Sequence, residues 1–212
     1  PEELTVVGNR LYFTANDKSG RKLWTITDTL GEPNLVLGAG DDPKHLTNID
    51  GKLFFSAQSE LGRELWVADT NGARLLSDIY PGSGSSSPKD FTVVNHWVNQ
   101  NIERYLYFSA DGGDRGVELW SLNLSENNAE PHRTADIHSG PYSSEPRQLT
   151  NVEERLFFTA DNGECGRELW TQGIDIIGPN GKAGPESITI KANENQTQIY
   201  QFFSETATSW SL

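Results

Sequence analysis

Four copies of one short pattern run through the chain, and this repetition constrains the fold more than any other feature. Pro1, Pro43, Pro88 and Pro146 each open a copy, as P-E-E-L-T, P-K-H-L-T, P-K-D-F-T and P-R-Q-L-T. An aromatic-rich run follows: residues 11–15, 53–57, 106–110 and 156–160 read L-Y-F-T-A, L-F-F-S-A, L-Y-F-S-A and L-F-F-T-A. Next come a glycine at 20, 62, 116 or 166 and a tryptophan four residues later, at 24, 66, 120 or 170. The full repeats span 42, 45 and 58 residues, a length that suits one four-stranded propeller blade.

Within a repeat, aromatic and β-branched runs are separated by Gly, Asp and Asn, which favours short strands over helices. Strand a carries the L-T pair, as in Leu46 and Thr47; strand b is the aromatic run. Strand c holds Glu64, Leu65 and Trp66 or their equivalents. Strand d is expected at Leu75 to Ile79, Thr134 to Ile137 and, more loosely, Leu35 to Leu37. In strand b, Leu11, Phe13 and Ala15 point to one face and Tyr12 and Thr14 to the other. One face is wholly apolar and the other still carries an aromatic, so both are expected to pack against neighbouring sheets. That predicts an all-β fold, a β-propeller-like array of four four-stranded antiparallel blades. A β-solenoid is the alternative, although its coils are usually shorter.

Composition narrows the function classes. Thirty acidic side chains against 17 basic give a net charge of −13, which disfavours nucleic acid and anionic membrane as partners. No run approaches the ~18 apolar residues of a membrane span. The single Cys165 excludes an intramolecular disulfide and any cysteine-built zinc site. Methionine is absent and residue 1 is proline, so the sequence reads as part of a longer polypeptide.

The combination P-x-x-L-T, L-[YF]-F-[ST]-A, G-x-E-L-W and D-I-x-P-G resembles the ELWxxDGT repeat proteins, β-propeller-like modules of large bacterial cell-surface and secreted proteins. The intact G-R-E-L-W at 62–66 and 166–170 carries the likeness. Lys22 replaces the glutamate in the first copy, Val117 the arginine in the third, and the D-G-T portion is degraded throughout. The resemblance implies an extracellular or cell-surface setting rather than a chemistry. On this reading residues 1–177 form four blade repeats, 1–42, 43–87, 88–145 and 146–177, with 178–185 a linker. Residues 186–212 resemble the truncated start of a cadherin-like β domain, with Glu194 to Thr197 at its E-N-x-T turn and Trp210-Ser211-Leu212 ending a later strand.

Chemistry-bearing residues are few. The b–c and d–a loops emerge on one face of an up-and-down blade and gather Asp111, Asp161, Asp78 and Asp136, with Asp17, Asp114 and Asn162 beside them. Calcium is the cofactor such Gly-Asp-Asn loops suit. The alternative is that these residues make turns and cap their own backbone. Thr159, Asp161 and Gly163 are similar to the first half of the Asp-box of sialidase-type propellers, a structural motif. Glu64, Glu118 and Glu168 recur two residues before a tryptophan. Recurrence suits a structural role, such as accepting backbone N–H groups or pairing with Arg63 and Arg167, better than the paired carboxylates of a glycosidase. The four histidines occupy unrelated repeat positions, with His132 and His138 flanking one strand d as a conceivable metal pair. No Walker loop, G-x-S-x-G elbow or H-E-x-x-H occurs.

One repeat breaks the symmetry. Eight additional residues between Pro88 and Leu106 are expected to extend the a–b loop as Asn95 to Asn101, displaying Trp97 among Asn and Gln. Trp97 there would stack on a sugar ring, or pack on its own hairpin. The expectation is a non-enzymatic repeat scaffold for adhesion, in contact with a glycan or a surface protein. The alternatives are a polysaccharide-acting propeller hydrolase or lyase and a ligand-free spacer.

Overall fold

A computed structural model describes residues 1–27, 31–98, 100–164, 166–172, 187–191 and 197–201. The protein is all-β, and every described sheet is an antiparallel meander. The first sheet holds β1 (Glu2–Val7), β2 (Arg10–Asp17), β3 (Gly20–Thr27) and β4 (Asn34–Leu35). The second holds β5 (Asp41–Ile49), β6 (Lys52–Ser59), β7 (Gly62–Asp69) and β8 (Gly72–Ser77). In the third are β9 (Lys89–Val98), β10 (Asn101–Asp111), β11 (Val117–Asn123) and β12 (His132–Ala135). The fourth comprises β13 (Arg147–Val152), β14 (Arg155–Asp161) and β15 (Arg167–Gln172). The position of its fourth strand, the linker and Trp210 to Leu212 lie outside the described residues. A separate hairpin pairs β16 (Ser187–Lys191) with β17 (Thr197–Gln201).

Each repeat thus folds as one sheet, and the chain divides into two compact units, residues 1–91 with 110–114 and residues 92–109 with 115–212. Within the first unit, Tyr12 and Leu23 of the first sheet pack on Leu53, Phe55, Ala57 and Trp66 of the second. Thr5 Oγ1 donates across this joint to Leu46 O (3.1 Å), and Asn48 Nδ2 donates to Val6 O (2.7 Å). The second unit repeats the joint: Tyr107 and Leu119 of the third sheet pack on Leu156, Phe158, Ala160 and Trp170 of the fourth. Thr92 Oγ1 donates to Leu149 O (2.7 Å) and Asn151 Nδ2 to Val93 O (2.9 Å). The surface that packs forward therefore carries the Tyr and Thr positions of strand b, and the surface that receives it carries the Leu, Phe and Ala positions.

Two local expectations change. Strand d stops early: β8 ends at Ser77 and β12 at Ala135 rather than running to Ile79 and Ile137. Asp78 and Asp136 end them, because each carboxylate turns back to accept the amide of the glycine four residues on, Gly82 (3.2 Å) and Gly140 (3.5 Å). The insertion in the third repeat is likewise strand rather than loop, with β9 reaching Val98 and β10 starting at Asn101. Val94 and His96 are buried while Trp97 is exposed, the alternation of a half-buried strand, so the added residues simply lengthen the hairpin.

Candidate functional site

The recurrent glutamates are placed by the fold rather than by chemistry. Glu64 and Glu118 are fully buried on strand c. Glu64 accepts the amides of Ile79 and Ser86, both at 2.9 Å, and the Ser86 hydroxyl at 2.5 Å. Glu118 accepts the amides of Ile137 (2.9 Å) and Ser144 (3.0 Å) and the Ser144 hydroxyl (2.7 Å). Each serine sits two residues before the proline that opens the next repeat, so the carboxylate latches down the loop that leads into the successor repeat. The latch continues through the serine carbonyls, which accept the amides of Asp111 and Asp161, both at 2.9 Å. Burial raises both carboxyls above the usual range against these hydrogen bonds, Glu118 to about 7. In the first repeat the polarity is exchanged: Lys22 stands at the glutamate position and forms an ion pair with Asp41, which stands at the serine position. Arg63 and Arg167 hold strand a instead, through Asp42 (2.6 Å to Oδ2) and the Glu145 carbonyl (2.9 Å).

Asp111 and Asp161 form tight turns, each accepting the amide two residues on, Gly113 (2.7 Å) and Gly163 (2.8 Å). Asp17 does the same with Ser19 (2.6 Å). Asp136 also pairs with Arg115. The Oδ1 atoms of Asp78 and Asp136 are buried and without a hydrogen-bond partner. Among the described residues no group of three or more His, Cys, Asp or Glu side chains is arranged to hold a metal ion. His132 Nε2 meets Ser121 Oγ at 3.2 Å, whereas His138 stacks on Tyr142 with centroids 5.0 Å apart. Cys165 lies outside the described residues.

The lengthened hairpin of the third sheet is where symmetry fails and where side chains of function-bearing types collect. Trp97 is 47% exposed on β9, and Ile102, on the other side of the hairpin turn, is 53% exposed. Below Trp97, the buried His96 Nε2 meets Tyr107 Oη at 2.8 Å, with the Tyr105 ring edge-on to the imidazole at 5.2 Å. Tyr105 Oη donates to Glu103 (2.7 Å), and Asn123 Nδ2 donates to both Glu103 and Glu126 at 3.1 Å. Glu154 of the fourth sheet accepts the Asn95 amide at 2.9 Å. Burial lowers the His96 pKa, opposed by Glu154 and Glu103, and burial raises those of Tyr105 and Tyr107. At neutral pH the imidazole is therefore uncharged and the phenols keep their protons. These hydrogen bonds tie β9 to β10 and β10 to β11, and so stiffen the lengthened hairpin that carries Trp97. The sequence singles out Trp97 but gives no sign of this support, because its members come from three strands and a turn of the next sheet.

Compared with protein-family models the chain matches none, and no curated protein matches it.

Proposed function

We propose that the four sheets are blades of a β-propeller-like array, an extracellular or cell-surface scaffold without catalytic activity that presents Trp97 to a glycan or a surface protein. The supporting observation is the exposed Trp97 on the lengthened hairpin, whose strands are tied together by the His96–Tyr107 pair and the Tyr105–Glu103–Asn123 network. A tryptophan has only two side-chain torsions, so an exposed indole loses little conformational entropy on stacking against the apolar face of a pyranose or an aromatic peptide side chain. The repeats, and their resemblance to modules of large surface proteins, support the setting. Calcium belongs to the same proposal, at Asp78 and Asp136, each of which keeps a buried carboxylate oxygen without a partner.

Glycan-array and peptide-display screens of the 212-residue chain, with calcium and with chelator, test the proposal. Trp97→Ala should weaken any captured ligand by tenfold or more, about 1.4 kcal/mol, while the circular dichroism spectrum stays unchanged. Ligands that bind Trp97→Ala as tightly as the parent would move the contact elsewhere. Release of oligosaccharides from a polysaccharide substrate would refute the non-enzymatic reading. Chelation should lower the melting temperature by several degrees and Asp78→Asn should reproduce part of that loss, since a bound ion stabilises by ~2.7 kcal/mol at a hundredfold excess over its Kd. An unchanged melting temperature would remove calcium from the proposal.

A further inference from the structure

Both described joints between sheets pair the same two surfaces, and among the described residues one surface of each kind stays exposed. In the first unit the Tyr-Thr face of the first sheet lies on the Leu-Phe-Ala face of the second. The second unit joins the third and fourth sheets in the same way. The Tyr-Thr face of the fourth sheet matches that of the first apart from one hydroxyl: Thr5, Tyr12, Thr14 and Leu23 correspond to Thr150, Phe157, Thr159 and Leu169, and Phe157 lacks the hydroxyl that Tyr12 donates to Asp69 O (3.2 Å). Yet Leu23 is 1% exposed and Leu169 51%. Thr5 Oγ1 reaches both Glu3 O (3.2 Å) and, across the joint, Leu46 O (3.1 Å); Thr150 Oγ1 makes the local bond to Gln148 O (2.9 Å).

The receiving surface is duplicated too. Leu53, Phe55 and Ala57 of the second sheet are fully buried, whereas their counterparts Leu11, Phe13 and Ala15 in the first sheet stay partly exposed. Leu4 and Val6 beside them are 63% and 61% exposed. Val6, Leu11 and Ile26 line a shallow groove of about 410 Å³ on this face.

We propose that the Tyr-Thr face of the fourth sheet docks on the Leu-Phe-Ala face of the first sheet of a second copy of this chain, continuing the internal joint between molecules. Phe157 and Leu169 take the places of Tyr12 and Leu23, and the Leu4 carbonyl of the second copy takes the place of Leu46 O as acceptor for Thr150. Because the two surfaces differ, the contact is heterologous: each added copy leaves one face of each kind at the ends, and the assembly grows as a ring or a filament.

Sedimentation velocity of the 212-residue chain over a roughly hundredfold concentration range tests this directly. The expected result is concentration-dependent growth beyond the monomer. Val6→Arg and Leu169→Arg each place a charge on one exposed face, so both should melt with the parent and sediment as monomers. Their mixture should recover a single one-to-one dimer, because each variant supplies the face that the other lacks. A parent that stays monomeric throughout, variants that associate as the parent does, or a mixture that stays monomeric would each overturn the proposal.

Discussion

Glu118→Gln isolates what the buried latch costs and contributes. The carboxyl is fully buried and accepts three donors, and burial still outweighs those bonds, so its pKa rises from 4.5 to about 7. Because the folded-state value lies above the unfolded one, the native protein binds more protons than the unfolded chain between about pH 4.5 and 7. Stability from this group is therefore fully present below that window and falls as the pH rises through it. At about 1.4 kcal/mol per unit, ionising Glu118 in place costs roughly 3 kcal/mol by pH 8. Glutamine keeps the shape and one acceptor oxygen but turns an amide N–H₂ toward one of the donors, a pH-independent loss of about 1–2 kcal/mol. Parent and variant should thus differ in favour of the parent at pH 5, and the difference should shrink and reverse by pH 8. Urea unfolding followed by tryptophan fluorescence at several pH values gives both curves, and their difference cancels the titration of every other group. A difference that stays constant from pH 5 to pH 8 would show that Glu118 is ionised throughout and that desolvation does not dominate its environment.

Further outcomes follow from neighbouring features. Lys22→Glu should place two carboxylates together and cost about 1 kcal/mol, a modest figure because Asp41 is largely exposed. Adding Asp41→Ser should recover most of it by rebuilding the Glu–Ser latch, and a double-mutant cycle with no coupling would refute the exchange. Trp66→Ala should cost about 3–5 kcal/mol in denaturant unfolding, as for other buried aromatics. Trp170 donates its indole N–H to Ala160 O at 3.1 Å, whereas the buried Trp120 Nε1 has no partner. Trp170→Phe should therefore destabilise by about 1 kcal/mol more than Trp120→Phe, and equal losses would contradict that assignment.

The strands were legible because period-2 alternation and a recurring Gly-x-x-x-Trp spacing are local signals. So were the four sheets, since each repeat supplies its own meander. What stayed hidden depended on partners distant in sequence. Nothing near Glu64 or Glu118 announces Ser86 or Ser144, although the serine two residues before Pro88 and Pro146, replaced by Asp41 just where Lys22 replaces glutamate, is a readable trace of the pairing. The turnback of Asp78 and Asp136 that ends strand d was masked because each aspartate is followed by a β-branched isoleucine, Ile79 or Ile137, which reads as a continuing strand. At the Trp97 hairpin the exposed indole was foreseeable from its Asn-rich surroundings. The stiffening cluster below it was not, for it assembles Glu103, Tyr105 and Asn123 across adjacent strands.

The exchanged pair in the first repeat also bears on how such a chain finds its order. Near-identical tandem units invite mispairing, since any receiving face could collapse onto any packing face before the correct neighbour arrives. Glutamate at 64 and 118 selects a serine-bearing loop, and Lys22 selects an aspartate-bearing one. A loop carrying Asp41 against Glu64 would set two anions together, and a serine loop against Lys22 would leave the ammonium without its counter-charge. Opposite polarities at equivalent positions thus penalise a loop that folds onto the strand c of another repeat, and favour the loop of its own.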